Sequence, residues 1–240
     1  MKNASNERIR EILQSIQKID YVDPGDIPNI DLYMDQVTTF MDQHLASSKR
    51  FEDDKILTKT MINNYTKNNL LPPPEKKKYS KEHMLLLTFI YYFKNFLSIS
   101  DIQSILGPLS QRFFGEKQDI TLEQIYDQVF NTQIHSINAQ AKDLIDKWKY
   151  AQTTFSDVKN SEDKEFLDMF SFICMLCFDV WMKKNIIENI IDGNITSHYG
   201  KKQNTPPKKE ETKKEETKST KKEDTKNAKK EAAKNTAKKE

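Results

Sequence analysis

The 240-residue sequence predicts an all-α protein. Apolar residues recur again and again at a spacing near 3.6, and the period-two alternation of a half-buried strand is hardly visible. With 5 Gly and 8 Pro in the whole chain, there are few places where a helix must stop.

The elements run in order. Ile9, Ile12, Leu13, Ile16 and Ile19 form the stripe of a first amphipathic helix, which Asp23-Pro24-Gly25-Asp26 and Pro28 end with a connector. Tyr33, Val37, Phe40, Met41 and Leu45 mark a second helix, followed by a charged loop over residues 47–55. Thr58 is placed to cap a third helix reaching about Asn68. Ser80 caps a fourth over residues 81–96, apolar nearly all round and therefore expected at the centre of the domain. Ser98-Ile99-Ser100-Asp101 has the capping-box pattern of a short fifth helix, which Gly107-Pro108 should stop. Thr121-Leu122-Glu123-Gln124 opens a sixth, with its stripe on Leu122, Ile125, Tyr126, Val129 and Phe130. Leu144, Ile145 and Trp148 suggest another. A long last helix spans residues 162–192 and is expected to be buried, with Gly193 as its terminating residue.

Charge divides the chain. Residues 201–240 hold 15 Lys against 7 Glu and 1 Asp, while residues 1–200 hold 23 basic and 28 acidic groups, so an acidic body carries a basic tail. The tail has no Val, Ile, Leu, Met, Phe, Tyr or Trp and cannot bury enough surface to offset the entropy of ordering. Disorder is expected there, and the tail either solubilises the protein or adds non-specific attraction to DNA. The expected organisation is an N-terminal helix over 1–26, a helix-turn-helix domain over 27–110, a helical region for dimerisation or sensing over 111–198, and a disordered Lys/Glu-rich tail over 199–240.

No apolar run is long enough and free enough of charge for a membrane span, and residues 9–19 mix charges into what a leader would keep apolar. Cys174 and Cys177 are too few for a disulfide scaffold, which points to a reducing, cytoplasmic setting. Their CxxC spacing lies inside an apolar helix, so buried thiols are expected rather than a metal or redox pair. His44, His83, His135 and His198 are scattered, and there is no HExxH, Walker loop, GxGxxG or GxSxG. Neither an enzyme nor a cofactor or metal is expected. The acidic pairs Asp53-Asp54 and Glu162-Asp163 read as charges at helix starts.

The third helix and the loop after it carry the functional signal. Ile62 and Tyr65 would face the core, with Met61 beside them. Lys59, Asn63 and Lys67 share the opposite side, next to Thr60 and Asn64. That face suits a major groove: lysines attract phosphate, and an asparagine amide can pair two-fold with the adenine edge. Asn69 falls where a left-handed residue ends a helix. Leu70 and Leu71 then enter the core, and Pro72, Pro73 and Pro74 stiffen the exit. Lys76, Lys77 and Lys78 form a positive loop that grips phosphate or is merely solvated. Tyr79 brings the chain back, and residues 58–103 carry 7 Lys against 3 acids.

This stretch resembles the N-terminal winged helix-turn-helix of MerR-type transcription regulators. In that family the recognition helix commonly reads T-I-R-Y-Y-E, then G-L-L-P-P, a wing ending in Tyr, and two helices. Met61-Ile62-Asn63-Asn64-Tyr65-Thr66, Asn69-Leu70-Leu71-Pro72-Pro73 and Tyr79-Ser80 occupy those places. Asn63 replaces the arginine, Asn64 replaces the first tyrosine, and the wing is far shorter. A closer resemblance, over residues 27–106, is to a bacterial family known as domain of unknown function 1836. Its hallmarks are Asp31-Leu32-Tyr33-Met34-Asp35-Gln36, Leu57-Thr58-Lys59-Thr60-Met61-Ile62-Asn63-Asn64-Tyr65 and Lys76-Lys77-Lys78-Tyr79-Ser80. The resemblance implies a regulator in a Gram-positive bacterium, without implying a target; together with the helix face and the lysine loop it leads to the expectation that the chain binds duplex DNA through Lys59, Thr60, Asn63, Asn64, Lys67, Lys76, Lys77, Lys78 and Tyr79. A protein-interaction adaptor without DNA binding is the second reading, and a small-molecule sensor lacking DNA contact is a third. The aromatic last helix (Phe166, Phe170, Phe178, Trp181) serves either the protein's own core or a homodimer through the C-terminal helices.

Overall fold

At Asp23 the chain folds back on itself. The Asp23 carboxylate accepts from Gly25 N–H at 2.7 Å and the Asp23 carbonyl accepts from Asp26 N–H at 3.0 Å, the turn expected of Asp-Pro-Gly-Asp. The computed structural model describes residues 7, 9, 11, 12, 22–115 and 119–195, with backbone alone for residues 133–135 and 194. The expected first helix, apart from its helical residues 7, 9, 11 and 12, and the expected tail after residue 200 lie outside the described residues.

The described chain is mostly helical: α1 (Met34–His44), α2 (Lys59–Lys67), α3 (Lys81–Phe93), α4 (Ile99–Phe113), α5 (Leu122–Thr154) and α6 (Ser161–Ile190), with a π-helical turn at Ile191–Ile195. Two short strands, β1 (Leu32–Tyr33) and β2 (Lys78–Tyr79), pair antiparallel, Leu32 opposite Tyr79 and Tyr33 opposite Lys78. The side chains at Thr58, Ser98, Thr121 and Asn160 accept from backbone N–H groups of the helices they open. At α3 the partner of the cap is His83, whose Nδ1 accepts from Ser80 N–H at 3.0 Å.

One core gathers around α3. Met84, Leu85, Leu86, Leu87 and Ile90 are fully enclosed, as the all-round apolar composition requires. Val37, Met41 and Ile62 close on them from α1 and α2, and Ile102 and Leu106 from α4. This core continues past residue 110: Leu122 and Tyr126 belong to it, and Tyr126 donates its hydroxyl proton to the Val22 carbonyl at 2.8 Å. Ile187, Ile191 and Ile195, at the far end of the described chain, pack on it as well. A smaller cluster of Ile9, Trp148, Ala151 and Phe172 joins α5 to α6, helped by Lys147, which bridges Asp143 and Asp179. The short link over residues 155–160 makes α5 and α6 an antiparallel hairpin.

Five expectations are corrected. Gly107-Pro108 does not stop α4, which runs to Phe113; Leu106 is buried and Leu109 packs on the core, so continuing rewards the helix more than the proline's lost hydrogen bond costs it. Residues 144–148 do not form a separate helix. They belong to α5, because no Gly or Pro interrupts residues 122–154. Gly193 lies within the π-helical turn and is not a left-handed terminator, since Gly115 is the glycine with positive φ among the described residues. Asp53 and Asp54 do not start a helix: Asp54 instead caps a turn, accepting from Arg50 and Phe51 N–H. The last helix is not buried all round. Cys174 and Cys177 are exposed, because α6 turns Asp168 and Phe172 inward and leaves their opposite side in solvent.

Candidate nucleic-acid interface

The amphipathic reading of α2 is met residue by residue. Ile62 is 0% exposed and Tyr65 is buried, with Met61 half-buried against the same core. Lys59, Thr60, Asn63, Asn64 and Lys67 are all exposed. The helix ends at Asn68, whose backbone N–H and side-chain amide both donate to the Asn64 carbonyl, at 3.0 and 2.8 Å. Asn69 then takes φ +54°, the left-handed step anticipated there, and Leu70 and Leu71 are buried behind it.

The lysine loop is tighter than its sequence suggests. Lys78 N–H donates to the Glu75 carbonyl at 2.8 Å, and the two residues between them, Lys76 and Lys77, have φ +49° and +67°. Two successive positive φ values inside such a bond define a type I′ turn, which ordinarily selects Asn-Gly. Two lysines here cost roughly 1–2 kcal/mol each in backbone strain. The turn places both lysines at its exposed tip, while Lys78 is half-buried and Tyr79 is only 3% exposed. Tyr79 packs edge-on against His83, and burial raises its hydroxyl pKa, as it does for Tyr65. Tyr79 therefore positions the turn and offers little surface of its own.

The junction of β1 and α1 links the two parts. Lys59, at the start of α2, pairs with Asp35. The Lys78 ammonium lies over the Tyr33 ring, 5.3 Å from its centroid. Tyr33 and Asp35 are two residues apart, so helix and turn are tied to adjacent points of one scaffold. Tyr33 is 54% exposed there, an aromatic that sequence reasoning left out of the site. Only the strand pairing, which places Tyr33 opposite Lys78, reveals it. The segment joining α1 to α2, residues 45–58, is far longer than the roughly 3–4-residue turn of a compact helix-turn-helix.

His83 sits beneath this arrangement, buried between Tyr79 and Phe114. Burial holds its pKa below the ordinary 6.5, against the upward pull of the Pro73 and Pro72 carbonyls and of Asp31. An open groove of about 350 Å³ runs along α1, lined by Pro28, Leu32, Asp35, Gln36, Thr39 and Phe40 among others. No helix among the described residues is long and apolar enough to cross a membrane.

Residues 22–129 match the family model of Domain of unknown function (DUF1836). The two ends of this segment meet: Tyr126, near its close, donates its hydroxyl proton to the carbonyl of Val22, where it opens. The resemblance read from the residues thus holds for this part of the chain. No curated protein and no solved structure matches.

Proposed function

We propose that the DUF1836 segment binds duplex DNA in the manner of a MerR-like winged helix-turn-helix and acts in transcription regulation. One observation carries the reading. A helix with its apolar side sealed presents Lys59, Asn63, Asn64 and Lys67, and a strained turn presents Lys76 and Lys77 from the same scaffold. In this reading α2 enters the major groove. Asn63 and Asn64 meet base edges, while Lys59, Lys67 and the turn engage phosphates. Asp35 competes with phosphate for Lys59 and releases it on binding.

Fluorescence anisotropy of the full chain on random and genomic duplexes, across a salt series, tests the proposal. Engaging roughly five phosphates gives a log–log salt slope of about −4 to −5. Changing Lys76 and Lys77 together to Ala should weaken binding and flatten the slope by about 2. If affinity and slope both stay put, the turn is not a phosphate clamp. Equal weakening on every sequence by Asn63→Ala would remove Asn63 from base reading. Absence of binding even at low salt would overturn the proposal and leave the adaptor reading.

A further inference from the structure

His83 is a buried titratable group that the DNA-binding reading does not use. Its residue is 4% exposed, and several parts of the lysine turn's framework meet on its ring. The ring lies edge-on to Tyr79 of β2, centroids 5.5 Å apart, and to Phe114 just past α4, at 4.8 Å. Its Nδ1 accepts from Ser80 N–H at 3.0 Å and sits 2.8 Å from Ser80 Oγ, at the joint between β2 and α3. The Pro73 and Pro72 carbonyls, where the chain leaves α2, are near enough to favour a proton on the ring.

An Nδ1 that accepts from N–H carries no proton, so the neutral ring holds its proton on Nε2. That atom is enclosed and makes no hydrogen bond of good geometry among the described residues. A second proton would sit on Nδ1 and set one N–H against another, ending the bond from Ser80 N–H. It would also place a full charge in a site closed to water, which is costly. The charged neighbours offset little of this. Asp31, ahead of β1, attracts the charged ring. Glu82 accepts from Gly115 N–H with both carboxylate oxygens, each at 3.0 Å, and Lys81 is bonded to Glu123 at 2.9 Å. Lys78 lies over the Tyr33 ring, and burial keeps Tyr79 neutral.

We infer that His83 is the latch of an acid-sensitive switch: once protonated it leaves its site on the β2 side, opens the turn at Lys76 and Lys77, and so releases DNA. The release of DNA rests on the reading proposed above. The β2 side is the weaker wall. Its sheet is two residue pairs long, and the turn it closes keeps Lys76 and Lys77 at φ +49° and +67°, strain that opening relieves. The α4 side is held by the Glu82–Gly115 bonds and by Leu106 and Leu109 in the core. Burial keeps the ring's pKa below the ordinary 6.5, so the closed turn persists at neutral pH, and acid favours the open form, which takes the proton more readily. With the turn open, its lysines no longer share a fixed scaffold with α2. The expected sign is distinctive. Protonating carboxylates of the acidic body, where residues 1–200 hold 28 acidic against 23 basic groups, would by itself tighten DNA binding in acid.

The full chain, labelled with nitrogen-15, is titrated by NMR from neutral pH into mild acid. The amides of Lys76, Lys77, Lys78 and Tyr79 should shift together with the His83 ring, at one midpoint below 6.5, while circular dichroism keeps the helical signal. His83→Gln, whose amide oxygen can accept from Ser80 N–H, should abolish this shared transition. Over the same range duplex affinity should fall about tenfold in the natural chain and not in the variant. Lys76→Asn with Lys77→Gly removes the strain that favours opening and should lower the midpoint, a check that does not need the histidine variant to fold. A turn transition that survives His83→Gln overturns the inference. So does a His83 titration that leaves the turn amides still, loss of helix at the same midpoint, or tight duplex binding that ignores the opening. No duplex binding at any pH sinks the reading above instead, and the amide titration then decides the latch by itself.

Discussion

α2 and α6 are both amphipathic in part, yet their sequences settle different things. In α2 the apolar residues Met61, Ile62 and Tyr65 occupy one side, and lysine, asparagine and threonine fill the other. Only one orientation buries the first set, so the pattern alone names the outward residues. In α6 apolar residues lie all round. Phe172 faces α5 while Phe166, Phe170 and Trp181 face solvent, and the inward side contains a charge, Asp168, held by Lys164 at 2.9 and 3.0 Å. Periodicity fixes a helix's orientation only when polarity differs between its sides. Where it does not, the neighbours decide.

The sharpest way to break this contrast is to shorten one side chain in each helix. Ile62→Ala should cost about 2–4 kcal/mol in urea unfolding, through lost burial and a residual cavity. Ile173→Ala, at a half-exposed position, should stay within about 0.5 kcal/mol. Equal costs would mean that Ile173 is covered and the contrast is wrong. Thr58→Ala should remove about 1 kcal/mol by freeing the Met61 N–H that the hydroxyl caps at 3.2 Å.

The turn opposes stability to binding. Lys76→Asn with Lys77→Gly supplies the pair that a type I′ turn prefers and should raise stability by about 1 kcal/mol while weakening DNA binding. A loss of stability would contradict the left-handed geometry. Asp35→Asn frees Lys59 and should tighten DNA binding about two- to threefold, since an exposed ion pair is worth well under 1 kcal/mol. Unchanged affinity would take Lys59 out of the interface.

At neutral pH the smallest effect comes from His83. Its folded-state pKa is depressed, so in acid the unfolded chain binds the proton more readily than the folded one. Stability should be unaffected above the ordinary 6.5, fall as pH drops below it, and level off once the folded histidine is also protonated. His83→Gln keeps an acceptor for Ser80 N–H and should flatten this acid limb. A variant with an unchanged limb would assign it to other groups.

Much of the DUF1836 segment was legible in the sequence. Thr58, Ser98 and Thr121 marked helix starts because a side-chain oxygen beside a run of helix formers has one good use, and Asn69 marked a left-handed exit because few other residues tolerate it. Pro108 misled because its penalty is local and the compensation, burial of Leu106 and packing of Leu109, is not. The single continuous α5 was missed because its apolar stripe thins between Phe130 and Leu144, and a thin stripe resembles a break. The lysine loop was legible as charge and illegible as geometry: no local rule places two lysines at positive φ.

Sequence alone determined that the chain is helical, where most helices begin, and which side of α2 faces outward, because each depends on residues within one or two turns of each other. Tertiary structure decided that Tyr33 and Asp35 join the lysine turn to α2, that Ile191 returns to the first core, and that Cys174 and Cys177 face solvent. Those facts depend on segments far apart in the chain, whose meeting is set by the burial available to the whole fold and not by any local preference.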